Sequence, residues 1–411
     1  MKELPKKTTI VIVNDFDYIQ GGASKVAIDT AKILHENGYH VIFFSGTHSI
    51  EEFTENGYQN ITLNLPECLK DKNKIRGAFR GLYNFKAKKE FKKILDTLDP
   101  KTTIIHIHGW TKTLSSSVFD VADKQGFKVV VTLHDYFSAC PNGGFFHYRQ
   151  NQICKLKPLS RQCLCSNCDS RNYMFKIYRI IRQWIQTKIV KLNQRIKYAT
   201  YVSNFSYQIL KPYFPQTTHF YQLYNPIDIE KKKKITTVAK DKFILYTGRI
   251  TKEKGIELFC KAVTELNYPA KVIGDGPLLS TLKKQYPTIE FLGWKNSQEL
   301  NQYYQTAHFF VFPSLWYETA GLTVLEAAQN NLYSLVSDTS ASKEFVELYS
   351  IGETFHSGNV EDLKQKIKKL YNTKKKDIQE ASKKIEEDLN HKKYLANILK
   401  IYYSILKEER T

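Results

Sequence analysis

Two acids stand eight positions apart in the run FPSLWYETAGLTVLE (312–326): Glu318 and Glu326. The apolar run HFFVFPS (308–314) leads into them, and a helix-like stretch from Gly321 to Gln329 leads out. Ligands of open α/β sheets collect outside the strand ends and against helix N-termini, which is where these acids fall. Glu326, five residues into the helix, lies about 7.5 Å along its axis from Gly321. There its two oxygens can accept from a vicinal diol such as a ribose. Glu318, before the helix, reaches the other side of a phosphate group held at the helix start, where a sugar's hydroxyls would sit. Upstream, YTGRITKEKG puts Arg249 and Lys254 in the loop after another strand. A planar guanidinium and a compact ammonium together suit a diphosphate. The run IGDGP (273–277) ends a further strand, and Gly274 lets backbone approach a ligand closely, although the same residues make a good turn. Singly, each of these features also reads as a solvated loop or a helix cap. Strand, acid, turn, helix and second acid in sequence do not.

Positioning such a set requires parallel strands that end at one edge. Short β-branched runs alternate with longer amphipathic segments along the whole chain: TIVIVN (9–14), HVIFFSG (40–46), IIHIHG (104–109), KVVVTLH (128–134) and YATYVSN (198–204), then KFILYTG (242–248), AKVIGDG (270–276), IEFLGW (289–294), HFFVFPS (308–314) and YSLVSD (333–338). Near-continuous apolar strands separated by helices predict parallel sheets covered on both faces. The pattern restarts after YNPIDIEKKKKITTVAKDK, so two doubly wound, Rossmann-like α/β domains are expected to face each other across a cleft. The first spans 1–228 with a basic, cysteine-rich insertion at about 136–197. The second spans 229–390, and a C-terminal helix over 391–411 is placed to pack back on the first. No G-x-G-x-x-G follows a strand, which argues against a nicotinamide dehydrogenase.

The chain has 411 residues, 42% of them apolar, and a net charge of +20. Residues 136–227 hold one acid, Asp169, against 13 Lys and Arg. Such a field attracts polyanions: nucleic acid, anionic lipid or a phosphate-rich substrate. The first residues contain no apolar run long enough for a signal peptide, and no run is long enough to span a bilayer, so a cytoplasmic chain is expected. Cys140, Cys154, Cys163, Cys165 and Cys168 crowd one segment. Structural zinc and plain reduced thiols are both open readings for them, and disulfides fit the compartment less well.

The stretch from Glu318 to Glu326 resembles the E-x7-E motif of the family 4 glycosyltransferases, retaining enzymes of the GT-B architecture. Arg249 and Lys254 are similar to that family's paired basic residues, Gly274 to Pro277 to its second turn, and Asn225 to Asp228 to its domain junction. The resemblance implies a hexosyltransferase-type enzyme whose co-substrate is a nucleotide-diphosphate sugar and which needs no catalytic metal. Arg249, Lys254 and the backbone of Gly321, Leu322 and Thr323 would hold the diphosphate, Glu326 the ribose and Glu318 the donor sugar. Gly21 and Gly22, in the first βα turn, would bring backbone to the donor phosphates, with Lys25 adding charge. His134 resembles the family's cleft histidine, and His108 is a further candidate. The family commonly has an aromatic residue after Thr319, where this chain has Ala320, so the sugar pocket differs in shape.

The acceptor is expected to be a glycan or lipid-linked molecule in cell-envelope polysaccharide synthesis. Residues 171–197 carry eight basic residues and no acid, with Met174, Ile177, Ile181, Trp184, Ile185 and Lys188 at helical spacing. Residues 70–93 carry ten basic residues against Asp71 and Glu90. Both suit an anionic membrane surface, which predicts peripheral attachment to the inner face of the cell membrane. A sugar-nucleotide epimerase, a sugar phosphorylase or a catalytically silent carbohydrate-binding relative would share the fold. A nucleic-acid binder would account for the charge but not for the paired acids.

Overall fold

The computed structural model describes residues 4–48, 57–227 and 242–408. Its strands are β1 Thr9–Phe16, β2 His40–Thr47, β3 Gln59–Thr62, β4 Thr103–Ile107, β5 Lys128–Leu133, the short pair β6 Phe146–His147 and β7 Gln152–Ile153, then β8 Tyr198–Tyr201 and β9 His219–Gln222. After these come β10 Ile244–Thr247, β11 Ala270–Ile273, β12 Glu290–Phe291, β13 Phe309–Phe312, β14 Ser334–Ser337 and β15 Gly352–Phe355. One sheet runs β3-β2-β1-β4-β5-β8-β9 and a second runs β12-β11-β10-β13-β14-β15. Every pairing within both is parallel. The order reverses between β1 and β4 in the first sheet and between β10 and β13 in the second. These are the switch points beside which doubly wound sheets bind ligands. The expected junction at Asp228 and the lysine run after it lie outside the described residues.

The apolar strands are buried on both faces because each sheet carries helices on both sides. In β1, Val11 and Val13 enter one core while Ile10 and Ile12 enter another. The helix His391–Lys407 closes the second of these cores with Tyr394, Ile398, Ile401, Tyr402 and Ile405. Each such side chain contributes roughly 1.5–3 kcal/mol when fully buried. Two of its tyrosines also bond into the first domain, Tyr394 to Thr30 Oγ1 at 2.7 Å and Tyr402 to His106 Nδ1 at 2.7 Å. The second domain is organised around its own core, from Phe243 through Leu389. Strands β3, β9 and β15 were not apparent from the pattern: QNIT, HFYQ and GETF mix polar and apolar residues and lie half-exposed at or near sheet edges.

The insertion departs most from expectation. The helix Tyr173–Trp184 runs on into a π-helical turn, Ile185–Ile189. Its apolar stripe faces out, with Met174 72% and Trp184 51% exposed, whereas Lys176 and Gln183 are 1% exposed. Lys176, Arg179 and Arg182, expected on a solvated or membrane-facing side, therefore turn inward, while Arg171, Lys188, Lys191 and Lys197 stay exposed. Lys176 donates to cysteine sulfurs, and Arg179 pairs with Asp169 at 2.7 Å. Arg182 donates to the Pro141 carbonyl and lies over the Phe137 ring. The physical reason is that residues 136–172 offer sulfurs, carbonyls and a carboxylate to this face, so its polar groups are satisfied there and not by water.

Candidate active site

The loop between β13 and the helix Leu322–Gln329 holds the first acid and reaches across to the other domain. Thr319 Oγ1 donates to the His134 carbonyl at 2.9 Å, and Ser203 Oγ donates to the Thr319 carbonyl at 2.6 Å. Tyr317 lies edge-on to Tyr136 and Phe205. The motif loop is thus itself an inter-domain contact, and Glu318 sits in it 7% exposed. The turn into the helix needs glycine twice over. Gly321 has φ of +67°, and a Cβ there would stand 1.9 Å from Ser342 Oγ. The helix therefore opens with the amides of Leu322 and Thr323 at the carboxyl edge of the sheet, half-buried.

Lys254 Nζ lies 2.5 Å from Glu318 Oε1, which also accepts from Ser314 Oγ at 2.8 Å. Burial alone would raise the Glu318 carboxyl, but the Lys254 ammonium and these hydrogen bonds outweigh it and hold the group below its usual range. Lys254 ends the short turn Lys252–Lys254, closed by Gly255 at φ +68° directly against the Pro313 carbonyl, and its ammonium rests 5.3 Å from the Trp316 ring. The sequence reading treats Lys254 and Glu318 as ligands for different parts of one molecule; the structure pairs them with each other. Arg249 stays outside this pair, its side chain 64% exposed and 3.8 Å from Glu253. Gly274 packs against protein: a Cβ there would fall 1.9 Å from the Gly248 carbonyl, so glycine lets the turns after β10 and β11 touch.

Glu326 faces a cavity of about 270 Å³ between the domains. Lys25, Pro226, Leu322, Trp294, Lys295 and Tyr304 also line it. Arg249, Lys254 and Glu318 do not, so the two acids flank the helix start and do not share one hollow. Trp294, Lys295 and Asn301 were missed from sequence. The signal was present: Gly293 and Trp294 follow β12 at its carboxyl end, the edge where ligands gather, and Trp294 is 74% exposed.

The first domain brings fewer charges to its edge. Gly21 has an extended backbone and only open space where a Cβ would point, whereas a Cβ on Gly22 would be 3.5 Å from Leu322 Cδ1. That contact places the first βα turn against the second domain's helix start. Lys25 pairs with Asp29 at 2.8 Å. At the ends of β4 and β5 stands a column of imidazoles. His106 bonds Tyr402 and Thr132, and its ring lies 4.2 Å from that of His108. His108 Nδ1 lies 3.0 Å from His134 Nε2. His134 is half-buried, and desolvation pushes its pKa down to about 3, so the ring is neutral near pH 7. Beside it, burial pushes the Asp135 carboxyl up to about 6. Asp15, at the end of β1, accepts from the amides of Lys112, Thr113 and Leu114 at 2.8, 2.8 and 3.0 Å and so fixes the loop after β4.

Among the cysteines, Cys140, Cys154, Cys163 and Cys168 line one small void, and Cys165 is exposed.

Comparison with known proteins places the chain in a family. The model of the group 1 glycosyl transferases matches residues 228–388, and that of Glycosyltransferase Family 4 matches residues 20–231. An uncharacterized 42.6 kDa protein in the cps region of Klebsiella pneumoniae is 28% identical over 340 residues, covering 77% of this chain and 82% of its own. Among solved structures, a glycosyltransferase from Rickettsia africae superposes with a TM-score of 0.69 at 16% identity over 98% of this chain and 100% of its own. HepE from Anabaena, solved in complex with UDP and glucose, superposes with a TM-score of 0.68 at 13% identity over 97% and 100%. The chain belongs to the family 4 glycosyltransferases and is built on their GT-B fold.

Proposed function

We propose that this enzyme moves a sugar from a nucleotide-diphosphate sugar to a hydroxyl of a glycan or lipid-linked acceptor, with retention at the anomeric carbon and without a catalytic metal. The observation that carries this reading is the Lys254–Glu318 pair at the start of the Leu322 helix, with Glu326 opening onto a cavity on the helix's other flank. A nucleoside fits that cavity, its ribose diol on Glu326 and its base against Trp294. The diphosphate then crosses the amides of Leu322 and Thr323, and Gly21 and Gly22 close over it. Arg249 swings in from solvent. Lys254 exchanges Glu318 for phosphate oxygen, which frees the Glu318 carboxylate for the hydroxyls of the sugar.

As the sugar–phosphate bond breaks, positive charge grows on the sugar and negative charge on the departing diphosphate. Fixed cations and helix amides stabilise the latter without reorganising, the role a divalent metal plays in other transferases. The departing phosphate oxygen takes the proton of the acceptor hydroxyl attacking from the same face, which gives retention without a protein nucleophile. In this reading the neutral ring of His134 bonds a sugar hydroxyl. The relative in a cps region supports cell-surface polysaccharide synthesis as the setting.

The setting also includes a membrane. The helix Lys74–Leu82 exposes Ile75 and Phe79, and Tyr178 OH donates to the Ala78 carbonyl at 3.1 Å, so it lies beside the outward stripe of Met174, Ile181 and Trp184. An apolar patch edged by the cations of 70–93 and 171–197 suits an anionic bilayer surface.

A screen of nucleotide sugars by thermal shift tests the reading, because a ligand that binds only the folded state raises its midpoint. One donor series should stabilise the wild type and not Glu326→Ala. With that donor and a hydroxyl acceptor, the product should keep the donor's anomeric configuration, and transfer should persist after a brief chelator treatment. Inverted product or strict magnesium dependence overturns the mechanism.

A further inference from the structure

We propose that Cys140, Cys154, Cys163 and Cys168 are a four-thiolate zinc site that holds the insertion together. The proposal is independent of the sugar-transfer reading. It begins from convergence: these four cysteines, spread over 29 positions of sequence, line one void of about 10 Å³ together with Lys176. That is room for about one atom the size of a water, too little for an iron–sulfur cluster. Cys163 and Cys168 form a C-x4-C pair, within the spacing that zinc sites use, while Cys165 between them is exposed and outside the set.

Charge gives the second argument. Lys176 is 1% exposed, and its ammonium donates to Cys168 Sγ at 3.1 Å and to Cys163 Sγ at 3.5 Å. Among the described residues no carboxylate lines the void, and Asp169, next to Cys168 in sequence, is paired with Arg179. A buried ammonium among neutral thiols lacks a counter-charge, which is costly. Four thiolates around one divalent cation carry a net charge of −2 and supply it. Asn142 Nδ2, 3.4 Å from Cys168 Sγ, is a further N–H donor of the kind that stabilises metal-bound thiolates.

The third argument is the poverty of the segment. Between Cys140 and Asn172 the regular structure is two strands of two residues and one helix of five, Arg161–Cys165. Loops of this kind have little apolar core of their own, and a structural metal is a standard substitute. The sulfurs still have to close in. Among the described residues no three metal-binding side chains stand in an arrangement that holds an ion. Bonds of about 2.3 Å to zinc require the thiols to rotate toward the void and the Lys176 ammonium to withdraw to its rim.

The test is the metal content of the full-length protein, measured by plasma mass spectrometry after extensive desalting. We expect one zinc per chain, released when a mercurial modifies the thiols. Cys165→Ser should retain the metal, and Cys163→Ser and Cys168→Ser should lose it. Where those two variants fail to fold, cobalt exchange into the wild type answers instead: thiolate-to-cobalt charge transfer with intense tetrahedral bands is expected. Absence of stoichiometric metal, iron with sulfide in place of zinc, or a Cys163–Cys168 disulfide in the purified chain each overturns the proposal. Equal metal loss from Cys165→Ser overturns the ligand set.

Discussion

The two sheets share a strand order and differ in what stands at their carboxyl edges. The second sheet presents ions: Lys254 paired with Glu318 ahead of one helix, Glu326 within that helix, and Arg249 exposed in the loop after β10. The first presents a stack of neutral imidazoles, His106, His108 and His134, with the Asp135 carboxyl, raised to about 6, beside His134, and Gly21 and Gly22 shortly after β1 in sequence. The same topology thus serves two kinds of chemistry. An edge that meets a diphosphate needs charge fixed in advance, whereas one that meets sugar hydroxyls needs hydrogen-bonding groups that do not repel an oxocarbenium-like centre. The division can be broken from either side.

The largest effect is expected on the charged side. Glu318→Gln should lower kcat about 10²- to 10³-fold, the scale seen when one transition-state contact is removed, with the donor KM little changed. Steady-state kinetics with the donor found by thermal shift decides it. Glu326→Ala should act on binding, raising the donor KM roughly tenfold or more, as loss of charge-assisted bonds to a diol implies, while kcat moves little. If the two variants gave the same pattern, the assignment of the acids to different parts of the donor would fail.

What was legible follows the same division. The charged edge could be read because strand, glycine turn and helix fix the spacing of Glu318, Gly321 and Glu326 along one continuous stretch. The ion pair between Lys254 and Glu318 could not, since the partners lie 64 positions apart and meet only through the packing of Gly255 on Pro313. In the first domain the apolar strands were legible and the insertion was not. Met174, Ile181 and Trp184 recur at helical spacing whichever way the helix faces. Only the sulfurs and carbonyls of 136–172 turn Lys176 and Gln183 inward, and nothing local to the helix encodes them.

That reversal changes what should release the enzyme from a bilayer. If the outward stripe docks on lipid, Ile181→Ser with Trp184→Ser removes about 1 kcal/mol for each partly exposed side chain and lowers partitioning roughly thirtyfold. Co-sedimentation with vesicles containing anionic lipid measures it. Arg179→Gln with Arg182→Gln should instead destabilise the fold, because both side chains are committed to inner partners. Unchanged sedimentation of the serine variant would remove the membrane from the picture and leave the patch without its proposed occupant.

The smallest effect expected is in the dependence of stability on pH, and it tests the neutral side of the comparison. Desolvation lowers the pKa of all three imidazoles, to about 3 for His106 and His134 and well below the ordinary value for His108. The unfolded chain binds protons there near pH 6.5, so it holds more protons than the folded one between about pH 6.5 and 3. The stability these groups contribute is fully present above that window and is lost as pH falls through it. Asp135 works the other way: its carboxyl, raised to about 6, binds a proton in the folded state first, which offsets one imidazole at the acid end. Each imidazole accounts for about 1.4 kcal/mol per pH unit, so denaturant midpoints should fall steeply from pH 6.5 to 5. Among the described residues His108 Nε2 bonds nothing and Nδ1 bonds His134, so His108→Gln removes one titrating group without cutting the column's link to Tyr402. Below about pH 6, where Asp135 cancels one of the three imidazoles, its midpoint should decline about half as steeply. Parallel curves for wild type and variant would mean that His108 takes up its proton as readily in the folded chain as in the unfolded one, and the desolvated, neutral reading of that edge would fail there.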